Sequence, residues 1–95
     1  MSKVNEQNLK LDTPEDIAQA MINDPVYYGK IQRRYWRLLD EGQHLDPGYA
    51  HWVFAYLFQA YFKHLGLKEP LYTATPVSEI LLAHMLQVDA ERRQR

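Results

Sequence analysis

The chain has 95 residues, 46% hydrophobic and 24% charged, with eleven basic and twelve acidic side chains for a net charge of −1. That length and mixture fit one globular domain and exclude a disordered or collagen-like chain, and the near-neutral total argues against a protein dedicated to coating nucleic acid. With no cysteine, the chain offers no disulfide, no thiolate metal site and no cysteine nucleophile.

Residues 1–12 are polar with scattered leucines, and they read as a flexible leader ahead of a single helical domain over 13–95. They lack the apolar run of a secretory signal. The longest stretch free of Asp, Glu, Lys and Arg runs from Pro47 to Phe62 and holds His51 and Gln59. It falls short of the roughly 20 apolar residues that a membrane span needs. The expectation is a cytoplasmic protein with no membrane partner.

One punctuation mark recurs at Thr13-Pro14, Asp24-Pro25, Asp46-Pro47 and Thr75-Pro76. A Thr or Asp side chain accepts the orphan amide hydrogens of a first helical turn. The proline after it has its φ preset and lacks an amide that would go unpaired. Gly42 and Gly66 supply stops. Helices are therefore expected near 14–23, 25–41, 47–65 and 76–92, in a compact all-α domain of four helices. No segment alternates at period two, so strands are not expected.

The first helix carries Ile17, Ala18, Met21 and Ile22 on one side, with Glu15 and Asp16 in its first turn. The second places Lys30, Arg33, Arg34 and Arg37 within about 100° of one another, by the helical period. Tyr27, Ile31, Tyr35 and Leu38 lie on the opposite arc, and Trp36 falls off the apolar centre towards the cations. Lys30, Arg33, Arg34, Trp36 and Arg37 are thus the candidate partner-binding residues, suited to carboxylates or phosphates. The plainer account is a solvated face threaded with weak ion pairs to Asp40, Glu41 and the acidic first helix.

The third helix is apolar round more than half its circumference and is expected to form the aromatic core of the domain. Its polar strip comprises His51, Gln59 and Lys63, edged by Trp52 and Phe62. Three neighbours, one of them short, are not enough to cover the whole cylinder. Trp52, Phe58 and Phe62 are therefore the candidate oligomer interface, and a homodimer is the simplest symmetric solution. The fourth helix runs Val77, Leu81, Met85 and Val88 along one stripe, flanked by Ile80, Leu82 and Leu86. His84 lies on its inner side and reads as a core histidine.

Catalytic patterns are missing. Ser2 and Ser78 have no nucleophile elbow, the four glycines form no phosphate-cradling loop, and none of His44, His51, His64 and His84 has a histidine four residues on. No enzyme activity, cofactor or metal is expected. The sequence points to a protein–protein interaction module, an adaptor, regulator or accessory subunit that self-associates through its aromatic helices. The alternative is a small nucleic-acid-binding regulator acting through the basic strip of the second helix.

Overall fold

The computed structural model describes residues 11–43, 46–68 and 74–94. It contains four helices and, among the described residues, no strand: α1 (Pro14–Asn23), α2 (Pro25–Asp40), α3 (Pro47–Leu65) and α4 (Ala74–Arg93). Most of the expected leader, together with His44, lies outside the described residues.

Three of the four Thr/Asp-Pro pairs start a helix by the expected chemistry. Thr13 Oγ1 accepts the Asp16 amide at 3.1 Å, and Asp46 Oδ1 accepts the Gly48 and Tyr49 amides at 3.0 and 3.3 Å. Asp24 serves two helices. Its amide donates to the Ala20 and Met21 carbonyls that close α1, at 3.1 and 3.3 Å. Its carboxylate accepts the Val26 and Tyr27 amides that open α2, at 2.9 and 3.4 Å. One residue therefore makes the α1–α2 corner with no linker. Gly42 (φ 70°) and Gly66 (φ 73°) both stop helices in the left-handed conformation. The amides after them reach back to the Leu38 and Phe62 carbonyls at 2.8 and 3.0 Å, the six-to-one bond of a Schellman end.

The fourth pair behaves differently. α4 begins at Ala74, ahead of Thr75 and Pro76, so Thr75 is a residue of the first turn and not its cap. Proline is tolerated there because the first four amides of a helix have no acceptor within it. The restriction on the residue before proline is a tilt in preference that the first turn overrides. At the other ends, α2 stops one residue earlier and α4 one residue later than expected, as helix ends fray by a residue or so.

The core is built from all four helices. α3 contributes Ala50, Phe54, Leu57, Phe58, Tyr61 and Phe62, and α2 adds Tyr27, Ile31, Tyr35 and Leu38. Tyr27 ties the start of α2 to the end of α3. Its ring meets Tyr61 edge-on at 5.0 Å and its hydroxyl donates to the Ala60 carbonyl at 3.3 Å. Burial raises the Tyr27 and Tyr61 phenols above their ordinary pKa, and the nearby Asp24 carboxylate adds to it in each case.

α3 supplies most of the aromatic core, yet it is not enclosed. α2 and α4 each pack against all three other helices, while α3 rests on α4 and α2. The molecule measures 39 × 31 × 18 Å. A thickness of 18 Å holds two helix layers, given a helix diameter of about 10 Å. In a two-layer body every helix keeps one side towards solvent, and the open side of α3 carries aromatic rings. No helix among the described residues is long and apolar enough to cross a membrane.

A candidate binding face on α2 and α3

Lys30, Arg33, Arg34 and Arg37 line one groove of about 430 Å³ together with Tyr56, Leu57 and Ala60 of α3. The three arginines are exposed and Lys30 is half-buried. The helical period brings the cations together, and the floor comes from α3 where Tyr27 pins the two helices. No acidic side chain among the described residues lines the groove. Among the described residues the one ion pair is Arg93–Asp89, at 2.9 Å within α4. Asp40, Glu41 and the acidic residues of α1 therefore do not pair with these four cations. Two of them stand over rings instead. The Lys30 ammonium stands 4.7 Å from the centroid of Tyr27, and the Arg34 guanidinium carbon stands 6.0 Å from that of Tyr56.

A second hollow of about 370 Å³ adjoins the first and is lined by Arg34, Tyr49, Trp52, Val53 and Tyr56. Arg34 and Tyr56 belong to both. Trp52 is 75% exposed and Tyr56 59%, with Tyr49 also exposed. The face therefore runs from a cationic groove to an unpartnered aromatic surface, with a cation–π contact as the wall between them.

Three expected site residues lie elsewhere. Phe58 and Phe62 are in the core, 1% and 3% exposed, with their rings 5.0 Å apart, and neither offers surface to a second copy. Trp36 is half-buried on the α4 side of α2, where Arg92 covers its ring at 4.8 Å. It lines neither hollow. Its angular position on α2 turns towards the cations, but the C-terminal turns of α4 occupy that side.

The sequence does not single out Tyr49 and Tyr56, because on a helix this apolar an exposed ring and a core ring look alike. A signal was present: Trp52, Tyr56, Gln59 and Lys63 follow i, i+4, i+7 and i+11 and are all exposed.

His51 instead turns to α4. Its Nδ1 lies 2.6 Å from Ser78 Oγ, and Ser78 Oγ donates to the Thr75 carbonyl at 2.8 Å. A hydroxyl has one proton. With that proton on the carbonyl, Nδ1 carries the hydrogen of the His51–Ser78 bond. This is the reverse of a serine activated by a base, where histidine accepts from the hydroxyl. Ser78 is also only 1% exposed, so the pair works as a tie between α3 and α4. His84 packs edge-on against Tyr28 at 5.7 Å, and its buried Nε2 has no hydrogen-bond partner among the described residues. The core-facing position matches expectation. No three His, Asp or Glu side chains among the described residues gather closely enough to hold a metal ion.

No family model matches the chain, and neither the curated proteins nor the solved structures yield a match.

Proposed function

We infer that the chain is a non-catalytic protein-binding module, an adaptor, regulator or accessory subunit, and that it engages its partner through the α2–α3 face. The observation that carries this reading is the juxtaposition of exposed Trp52, Tyr56 and Tyr49 with Arg33, Arg34 and Arg37 on one continuous surface. Trp, Tyr and Arg are the residues that dominate binding energy in protein interfaces, because they bring large contact area and multidentate hydrogen bonding at modest entropic cost. Four cations with no acidic neighbour in the groove among the described residues favour an anionic partner.

The surface open to self-association is Trp52, Tyr49 and Tyr56, since Phe58 and Phe62 are spent on the core. A symmetric pairing across this face sets two cationic strips near one another, which disfavours it relative to an acidic partner. The second reading, a single-stranded nucleic acid, is favoured by the rings beside the cations, an arrangement that suits base stacking and phosphate pairing.

The test is native mass spectrometry of the tagged chain recovered gently from its own cells, alongside the Arg33→Glu/Arg37→Glu variant. The protein-module reading expects a stoichiometric protein partner that survives nuclease treatment and disappears with the charge reversal. Recovery of nucleic acid alone, or of a complex indifferent to the charge reversal, contradicts it.

A further inference from the structure

The two hollows differ in chemistry but share a wall, and this specifies a partner more closely than the presence of a basic strip. From Lys30 to Arg37 the groove spans seven residues of helix, about 10 Å at 1.5 Å per residue. That length faces about three residues of extended polypeptide, at 3.3–3.6 Å each. The strip is also bounded. Residues 25–39 carry a charge of +4, and residues 40–46, which follow directly, carry −3. The exposed carboxylates of Asp40 and Glu41 stand one turn beyond Arg37.

A polyanion that continues past Arg37 meets like charge. A nucleic-acid strand on this face pairs only a few phosphates, and the affinity it gains from counterion release scales with that number. A short anionic segment avoids both penalties. The adjoining hollow, walled by Trp52, Tyr49 and Val53, is apolar apart from Arg34 and has no anionic function to serve.

We propose that the α2–α3 face is a two-part site for a short acidic protein segment that carries one bulky apolar residue. Carboxylates of the segment pair with Arg33, Arg34 and Arg37 in the groove, and its apolar side chain enters the hollow between Trp52 and Tyr56. Arg34 and Tyr56 belong to both halves, so occupancy of one positions the wall of the other. This rests on the protein-module reading and narrows it from an acidic surface to an acidic segment with an apolar anchor.

The experiment titrates the full chain with three fluorescently labelled synthetic peptides and with labelled polyuridine, read by polarisation. The first peptide has a phenylalanine flanked by Asp and Glu, the second replaces the phenylalanine with serine, and the third replaces the acids with their amides. The first peptide should bind, and either replacement should weaken it about tenfold or more, the loss of a typical interface anchor. Trp52→Ala should weaken the first peptide but leave the serine peptide unchanged, and Arg33→Glu should weaken the first but leave the amide peptide unchanged. Arg34→Ala should affect both halves. Circular dichroism of each variant confirms that the helices persist.

Tighter binding of polyuridine than of any peptide overturns the proposal in favour of nucleic acid. Binding that ignores the phenylalanine overturns the apolar half. If no peptide binds while Arg33→Glu/Arg37→Glu still releases the cellular partner, the segment proposal fails and the protein-module reading stands. If the partner is also retained, both fail.

Discussion

Arg34 and Tyr56 meet across the α2–α3 junction, guanidinium carbon 6.0 Å from ring centroid, and each lines both the cationic groove and the aromatic hollow. Both side chains are largely in water, so the contact adds little to folding. An exposed cation–π pair is worth about 0.5–1 kcal/mol. Arg34→Ala and Tyr56→Ala should each change unfolding stability in urea by less than about 1 kcal/mol. Both should weaken partner binding, which places their role on the surface and not in the fold. A loss well above that limit would make the pair structural.

Trp52 and Phe58 make a sharper contrast, because both are large aromatics on α3. Phe58→Ala removes a ring buried against Phe62 and should cost about 3–5 kcal/mol, enough to unfold a domain of this size in part. Trp52→Ala removes a ring that is 75% exposed and should stay within about 0.5 kcal/mol. Denaturant midpoints for the two variants check this directly. Equal losses would mean that Trp52 is covered in solution, as in an oligomer.

Asp24 closes α1 with its amide and opens α2 with its carboxylate. Asp24→Ala keeps the first role and removes the second. The expected cost is about 1–2 kcal/mol, the range for losing an N-cap side chain. Asp24→Asn, which still accepts the two amide hydrogens, should recover most of it. If Asn does no better than Ala in thermal unfolding, the cap is not the source of the loss.

Tyr35 is fully buried, and its hydroxyl has no hydrogen-bond partner among the described residues. Burial raises its pKa above the ordinary value, the Asp89 carboxylate pushes the same way and Arg93 opposes. A raised phenol means that folding favours the protonated, neutral form. The stabilisation is therefore complete below the unfolded value of about 10 and is lost as pH rises through the folded value. Tyr27 and Tyr61 follow the same sign.

The denaturant midpoint should stay flat with respect to these groups up to about pH 9 and fall above about pH 10. Tyr35→Phe should make that fall shallower. At neutral pH it should leave stability equal or raise it by about 1 kcal/mol, by removing an unsatisfied buried hydroxyl. A loss larger than that would show that the hydroxyl bonds to Asp89.

The all-α architecture and three of the helix starts were readable because capping is local. A Thr or Asp side chain, a following proline and a left-handed glycine act within four residues, and the chain states them outright at 13–14, 24–25, 46–47, 42 and 66. The basic strip was legible for the same reason: four cations on one helix share a face by period alone. What covers a face is decided by other helices, and the wheel has no access to that. Phe58 and Tyr56 sit two residues apart in a helix apolar nearly all round. Only the placement of α2 and α4 determines that one is core and the other is surface. Trp36 shows the converse, since its angular position suited the strip until α4 brought Arg92 over it.

The most direct test of the account is backbone hydrogen–deuterium exchange on the chain, free and in the complex recovered from its own cells. Binding through the α2–α3 face predicts slowed exchange across residues 30–37 of α2 and 49–60 of α3, with α1 and the second half of α4 unchanged. Protection centred on α1 or α4, with the groove residues exchanging as in the free chain, would contradict it.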